Sequence, residues 1–180
     1  MQDDTLPNVA LIGFMGTGKS LLGRMLAQRW GWRFVDTDTL VEQEVGCSVA
    51  RIFERFGEEY FRQRETEILR GLESLRHLVI ATGGGVPTRS ENVSSLRRHA
   101  VIVLLTAKPD VILQRVQPVA TRPKLASASD PLAEIRRLLK EREEAYACAD
   151  LRLDTSNLSP TEAVQCIENL VKTWKPTRPF

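Results

Sequence analysis

Short, uninterrupted apolar segments alternate along this chain with longer amphipathic segments. Clear strand predictions are Val9–Ile12, Leu78–Ala81 and Ala100–Leu105, and shorter ones are Arg33–Val35 and the more polar Leu151–Leu153. A strand that is apolar at every position is buried on both faces, which is typical of parallel sheets covered by helices. The pattern therefore predicts an α/β fold with a five-stranded parallel sheet flanked by helices.

The segments between these strands have helical periodicity. The predicted helices are Lys19–Trp30, Val49–Leu72, Ser90–Arg98, Pro109–Val116 and Pro131–Ala147, followed by a last helix from Pro160. The sequence Ser159-Pro160-Thr161-Glu162 is a capping box with proline at the first helical position. In this last helix Ala163, Ile167, Leu170 and Trp174 recur at helical spacing, and we expect them to pack on the sheet.

A chain of 180 residues is of the right length for a single domain, and we expect one domain over 1–180. Two segments interrupt the simple alternation of strand and helix. Residues 37–72 hold enough sequence for two helices and are predicted to form a cap that binds a second substrate. Residues 117–130 are polar and carry Arg122 and Lys124, which predicts a lid that closes over phosphates. Residues 175–180 are predicted to be a flexible tail.

Charge and cysteine content narrow the class of protein. The net charge of +2 creates no global field that would favour nucleic acid or an anionic membrane. No apolar segment approaches the roughly 20 residues that span a bilayer, and the N-terminus lacks the pattern of a signal peptide. The three cysteines lack the spacing of metal ligands, so we expect free thiols. We therefore expect a cytoplasmic protein, and since no exposed apolar stripe stands out in the sequence, nothing demands more than a monomer.

The segment from Gly13 to Ser20, Gly-Phe-Met-Gly-Thr-Gly-Lys-Ser, fits the phosphate-binding loop pattern, G-x-x-x-x-G-K-[ST]. It follows a predicted strand and opens a predicted helix, which is the context that a functional loop requires. Its glycines let several backbone N–H groups point at one anion, beside the positive end of the helix dipole. Lys19 supplies a charge for the β- and γ-phosphates, and the Ser20 hydroxyl is a ligand for Mg²⁺. The sequence predicts nucleoside triphosphate binding.

Two further motifs follow predicted strands. Asp36 and Asp38 flank Thr37 directly after the second strand, where one carboxylate could serve Mg²⁺ and the other an incoming hydroxyl. The third strand ends in Gly83-Gly84-Gly85, which exposes backbone N–H groups at the edge where α/β proteins bind ligands. The chain has no N-K-x-D segment of the kind that reads guanine in small GTPases.

Taken together, these motifs resemble those of the shikimate kinase family over nearly the whole chain. The motifs that carry the resemblance are Gly13–Ser20, Asp36-x-Asp38, Phe61-Arg62-x-x-Glu65, Gly83–Gly85, Arg122-Pro123 and Glu141-Arg142-x-x-x-Tyr146. The resemblance implies a P-loop kinase fold of the nucleoside-monophosphate-kinase type. It also implies transfer of the γ-phosphate of ATP to the 3-hydroxyl of shikimate, with Mg²⁺ as cofactor.

The resemblance assigns roles on the acceptor side of the site. Arg62 and Arg142 would hold the substrate carboxylate, and Glu65 would fix the Arg62 guanidinium. Asp38 would accept a hydrogen bond from the reacting hydroxyl. Gly83, Gly84 and Gly85 would bring backbone N–H groups to the ring of the substrate. Phe53 and Phe61, together with Val49, would form the apolar wall of the pocket. Core packing explains these last three side chains equally well.

On the nucleotide side, Lys19 and Arg122 are the expected catalytic cations, and Arg115 would stack on adenine. Ser20 and Asp36 are the expected metal ligands. The loop residues expected to contact nucleotide are Gly13, Met15, Gly16, Thr17, Gly18, Lys19, Ser20 and Leu21, with residues 155–159 on the other side of the adenine.

Two alternatives remain open from the sequence. Another small-molecule kinase of this architecture, such as a gluconate kinase, shares the phosphate loop, and substrate selectivity would distinguish it. A binding module without turnover is the second alternative. Such modules usually lose the loop lysine, the aspartate or the lid arginine, but Lys19, Asp38 and Arg122 are all present here.

Overall fold

The computed structural model of the chain describes residues 6–116, 125 and 128–176. Its five parallel strands are β1 (Asn8–Gly13), β2 (Arg33–Asp36), β3 (Leu78–Ala81), β4 (Ala100–Thr106) and β5 (Leu151–Asp154). They form one sheet in the order β2-β3-β1-β4-β5. The central strand β1 is buried at every position and pairs with β3 and β4. The predicted parallel sheet is confirmed.

Helices cover both faces of the sheet. The described helices are α1 (Lys19–Trp30), α2 (Thr37–Val45), α3 (Val49–Gly71), α4 (Ser90–Arg97), α5 (Pro109–Arg115), α6 (Pro131–Glu141), α7 (Glu143–Tyr146) and α8 (Pro160–Thr173). Helices α1 and α8 pack on Val9 and Leu11 of β1, while α3, α4 and α7 pack on Ala10 and Ile12. Since successive residues of a strand point to opposite faces, this division explains why β1 is apolar throughout.

The helices differ from the predictions in three details. The predicted helix Pro131–Ala147 is interrupted at Arg142, which ends α6 and precedes α7, and a break of one residue leaves no mark on the apolar period. Helix α3 bends at Gly57. In α8 Leu170 is only half-buried, whereas its neighbour Val171, which the prediction did not include, is fully buried.

Between β2 and β3, the helices α2 and α3 fill the segment that the sequence marks as an insertion. Of the predicted lid, 117–124 and 126–127 lie outside the described residues, so the predictions for Arg122 and Lys124 lie outside them as well. The same holds for 177–180 of the predicted tail. Among the residues that are described, no helix combines the length and the apolar character needed to cross a membrane.

All five strands point the same way, so their carboxyl ends meet at one edge of the sheet. The loop after β1, Asp36 at the end of β2 and Gly83 after β3 therefore converge, although they are far apart in sequence. This edge is where open α/β sheets bind their ligands.

Candidate active site

A cleft of about 1120 Å³ opens at the carboxyl edge of the sheet. It is lined by nearly all of the predicted site residues that the structure describes: Met15, Gly16, Thr17, Gly18, Lys19, Ser20, Leu21, Asp36, Asp38, Phe53, Phe61, Arg62, Gly83, Gly84, Gly85, Arg115 and Arg142. Gly13 lies at the base of the phosphate loop rather than on the cleft wall, and Arg122 is outside the described residues. The fold thus brings the separate sequence motifs into one cavity.

The phosphate loop connects β1 to α1. At Gly13 a Cβ atom would lie 2.3 Å from the Leu105 carbonyl oxygen, so only glycine fits beside β4. Gly18 precedes α1 with a φ of 101° and gives the helix no side-chain cap, which leaves the first N–H groups to face the cleft. The Nζ atom of Lys19 donates to the carbonyls of Gly13 and Phe14, at 2.8 and 2.9 Å. This arrangement suits an anion bound at the start of α1.

Ser20 and Asp36 join the loop to the end of β2. The Ser20 hydroxyl donates to Oδ2 of Asp36 at 2.7 Å, while Oδ1 of Asp36 accepts from the N–H groups of Asp38 and Thr39 and caps α2. A hydroxyl and a carboxylate are hard oxygen ligands that fit Mg²⁺. Among the described residues no group of three His, Cys, Asp or Glu could hold a metal.

Asp38 lies in the first turn of α2 and lines the cleft. Its Oδ1 atom is buried and has no hydrogen-bond partner in the described part of the chain. Burial raises the pKa of Asp38, the negative charge of Asp36 raises it further, and the positive charges of Lys19 and Arg62 act in the opposite direction. A carboxylate whose pKa is raised is a better proton acceptor than an ordinary aspartate.

Two of the three glycines after β3 provide space for arginine side chains. A Cβ atom at Gly84 would lie 2.9 Å from Nη1 of Arg142, and one at Gly85 would lie 2.4 Å from Cζ of Arg62. Arg142 also donates from Nη1 to the Gly84 carbonyl at 3.1 Å, and its guanidinium lies 5.2 Å from the ring centre of Phe14. Residues without side chains are therefore required here because two guanidinium groups occupy the space above them.

The first glycine of the triplet has different neighbours. A Cβ atom at Gly83 would lie 2.2 Å from Oε1 of Glu65 and 2.5 Å from Oδ1 of Asp38. The N–H of Gly83 donates to the buried hydroxyl of Thr37 at 2.9 Å. Two carboxylates and a hydroxyl from the segment between β2 and β3 thus meet at this one residue.

Two acids hold the Arg62 side chain in place. Its Nη1 atom donates to Oε2 of Glu65 at 2.9 Å, and its Nη2 atom donates to Oε1 of Glu58 at 3.0 Å. The guanidinium also lies 5.2 Å from the ring centre of Phe61. The rings of Phe61 and Phe53 are in edge-to-face contact, with centroids 4.9 Å apart, and both side chains line the cleft. The arginine and the apolar wall therefore form a single packed unit.

At the other end of the cleft, Arg115 is fixed by Thr155. Its Nη1 atom donates to the Thr155 hydroxyl at 2.9 Å, and Nη2 donates to the Thr155 carbonyl at 2.6 Å. The same hydroxyl lies 3.1 Å from the carbonyl oxygens of Thr17 and Thr106. With Leu158 and Pro160 on the same cleft, this end offers a flat cation and apolar contacts, which suit the face of a planar base.

Sequence reasoning missed two residues that shape the site. Thr37 lies between the two predicted acids, but its importance comes from its bond to Gly83, a residue of another motif. Glu42 accepts from the N–H of Val49 at 2.9 Å and so joins α2 to α3. The side chains themselves gave no signal for these roles, because both partners are brought close only by the folded chain.

A parallel sheet with a phosphate loop after β1, an inserted helical pair and an acid after β2 defines a P-loop kinase of the nucleoside-monophosphate-kinase type. Among such kinases the comparison with family models is specific: the model of the shikimate kinase family matches residues 15–172. The chain belongs to the shikimate kinase family, whose members are ATP-dependent kinases that act on a hydroxyl of shikimate.

Individual relatives agree with this assignment. The chain is 46% identical over 165 residues to a shikimate kinase of Geobacter sulfurreducens, covering 92% of this chain and 91% of the relative. It is 45% identical over 160 residues to one of Caldanaerobacter subterraneus, covering 89% and 93%. The solved structure of a shikimate kinase from Acinetobacter baumannii in complex with shikimate matches with a TM-score of 0.88 and 36% identity, covering 96% of this chain and 97% of that one.

Proposed function

We propose that this protein transfers the γ-phosphoryl group of ATP to the 3-hydroxyl of shikimate, giving shikimate 3-phosphate and ADP. The observation that carries the proposal is the set of residues that line one cleft. A phosphate loop and two guanidinium groups, those of Arg62 and Arg142, line the same cavity, and Asp38 lines it with them. This combination suits a phosphate donor together with a small acceptor that carries both a carboxylate and hydroxyl groups.

The nucleotide end of the cleft would hold ATP through the loop N–H groups and Lys19. Ser20 and Asp36 would hold Mg²⁺, which neutralises charge on the β- and γ-phosphate oxygens when bound. Arg115 would stack on the adenine. Arg122, predicted from the sequence, would add a positive charge beside the transferred group.

At the acceptor end, Arg62 and Arg142 would grip the shikimate carboxylate, since planar guanidinium groups bind a carboxylate at two points. The N–H of Gly83 is bonded to Thr37, so the N–H groups of Gly84 and Gly85 would be the ones to face the acceptor. Phe53 and Phe61, on the apolar side of the cleft, would contact the ring.

In the chemical step, a bond forms between the 3-hydroxyl oxygen and the γ-phosphorus. The bond from that phosphorus to the β–γ bridging oxygen breaks, and ADP leaves with its electron pair. The hydroxyl proton passes to the carboxylate of Asp38. Because burial raises the pKa of Asp38, this carboxylate can accept the proton as the new bond forms.

The experiment that tests this proposal measures ADP release by the purified protein with Mg·ATP and shikimate, gluconate or no acceptor. We expect turnover with shikimate alone, and an Asp38→Asn variant that loses at least about 100-fold in kcat, within the range for a missing general base. Turnover with gluconate instead would favour the gluconate kinase alternative. ATP binding without turnover on any acceptor would favour a binding module.

We further propose that the protein acts as a monomer in the cytoplasm, with neither nucleic acid nor membrane as a partner. Its three cysteines, Cys47, Cys148 and Cys166, are free thiols, as a reducing compartment permits. The exposed large apolar side chains of the described residues are Leu21 on α1, Phe56 on α3 and Leu75 in the loop before β3. Sedimentation of the purified protein measures its mass in solution, and a mass of twice that of one chain or more would contradict the monomer.

A further inference from the structure

Glu65 is a fully buried acid on α3 that does not line the cleft. Its Oε2 atom accepts the hydrogen bond from Arg62 at 2.9 Å. Its other oxygen, Oε1, is buried and has no hydrogen-bond partner in the described part of the chain. The hydrogen bond from Arg62 therefore accounts for only one of the two oxygens of this carboxyl group, and a buried polar atom without a partner destabilises a fold.

Oδ1 of Asp38, the inner oxygen of that carboxyl group, is likewise buried and has no hydrogen-bond partner in the described part of the chain. Oδ1 of Asp38 and Oε1 of Glu65 both lie within 2.5 Å of the point that a Cβ atom of residue 83 would occupy, so the two oxygens are at most about 5 Å apart. Because residue 83 is glycine, no side chain of its own separates them. Both atoms are acceptors when the acids are ionised. One proton, together with a side-chain shift of about 1–2 Å to a normal hydrogen-bond length, would satisfy both atoms.

Burial and charge decide which acid carries that proton. Glu65 is completely buried, whereas Asp38 is partly exposed to the cleft. The charged groups that face Glu65 are Arg62 on α3, Asp38 on α2 and Arg89 just before α4. Burial raises the pKa of Glu65 to about 7, although Arg62 acts in the opposite direction. Asp38, by contrast, lines the cleft together with the positively charged Lys19.

We propose that Glu65 is a positioning residue. Its Oε1 atom carries a proton and donates a hydrogen bond to Oδ1 of Asp38. The inference rests on the proposed role of Asp38 in the kinase reaction. The bond would anchor the inner oxygen of Asp38 and keep its other oxygen turned towards the acceptor hydroxyl. It would also spare Asp38 a second negative charge within about 5 Å.

The test compares the pH dependence of kcat in the wild type and in Glu65→Gln. The glutamine amide keeps an oxygen for Arg62 and an N–H for Asp38, and it does not titrate. A group with a pKa of about 7 goes from roughly 90% protonated at pH 6 to roughly 10% at pH 8. We therefore expect the ratio of kcat in Glu65→Gln to kcat in the wild type to rise about tenfold between these pH values.

If the ratio of the two kcat values stays constant with pH, the proposal is overturned. Groups that titrate equally in both proteins affect both kcat values equally, so only the titration of Glu65 can change this ratio. Glu58→Gln is the matched control, since it removes the other acid bonded to Arg62. We expect it to raise KM for shikimate and to keep the wild-type dependence of kcat on pH. If Glu65 acted only by holding Arg62, Glu65→Gln would behave in the same way as Glu58→Gln.

A second measurement needs neither turnover nor a folded variant. Infrared spectra of the wild-type protein should show the carbonyl band of a buried protonated carboxyl group at pH 6, weakened at pH 8. Absence of this band at pH 6 would overturn the inference even if the protein phosphorylates shikimate. Conversely, the band without any turnover would count against the proposed function and leave the proton on Glu65 supported.

Discussion

Replacing Gly85 with alanine tests the position of the Arg62 guanidinium by steric means alone. The φ and ψ angles of Gly85 are −97° and −6°, so the position does not need the positive φ that favours glycine, and alanine can adopt it. The added Cβ atom would lie 2.4–2.6 Å from three atoms of the Arg62 guanidinium, where ordinary contact begins at 3.4 Å. The guanidinium must therefore retreat by about 1 Å, and its bonds to Glu58 and Glu65 restrict where it can go.

The size of the effect follows from the proposed bond to the substrate carboxylate. A hydrogen bond between charged groups contributes roughly 1.5–3 kcal/mol, so its loss should raise KM for shikimate by roughly 10- to 100-fold. The KM for ATP should change by less than about threefold, or roughly 0.6 kcal/mol, because the atoms displaced do not belong to the phosphate loop. The assay is steady-state kinetics of Gly85→Ala, with each substrate varied in turn.

Gly71→Ala is the matched control, because nothing lies within 4 Å of a Cβ atom at Gly71. This substitution at the end of α3 should leave both KM values unchanged and stabilise the helix by up to about 1 kcal/mol. If Gly85→Ala folds and keeps the wild-type KM for shikimate, the Arg62 guanidinium does not lie above Gly85 in the working enzyme, and the steric reasoning is wrong.

Four further predictions use other contacts of the site. Thr37→Val leaves the buried N–H of Gly83 without its acceptor and should lower the free energy of unfolding by about 1–3 kcal/mol. Urea denaturation measures this change, and an equal loss of stability in Thr37→Ser, which keeps the hydroxyl, would contradict the prediction. Arg142→Lys keeps the charge but loses the planar fork, so KM for shikimate should rise about tenfold or more with little change for ATP, and equal changes for both substrates would be incompatible with a carboxylate clamp. Ser20→Ala should raise the Mg²⁺ concentration that gives half-maximal rate, and an unchanged magnesium titration would remove this hydroxyl from the metal site. Burial raises the pKa of Glu65 from 4.5 to about 7, so the stability that its protonated form contributes is complete below pH 4.5 and is lost as the pH rises to about 7. Relative to Glu65→Gln, the wild type should lose roughly 3 kcal/mol across that interval, and a difference that does not vary with pH in denaturation curves would argue against the burial effect.

The sequence predicted the features of the fold that depend on local pattern. Apolar segments without alternation identified the parallel sheet, and the capping box at Ser159 identified the start of α8, which the structure confirms. The phosphate loop was recognisable because its glycines, lysine and serine act within one continuous segment between a strand and a helix. The family was equally recognisable, because its motifs keep their order along the chain.

Contacts between distant segments were decided by the tertiary structure. The glycine triplet was predicted to supply N–H groups, but its close neighbours are the side chains of Arg142, Arg62, Glu65 and Asp38, which no local pattern could place there. The bond from Gly83 to Thr37 spans 46 residues. The pKa of Glu65 depends on burial beneath the site. Periodicity and turn chemistry are written into neighbouring residues, whereas burial and partner choice depend on how the sheet order brings remote segments together.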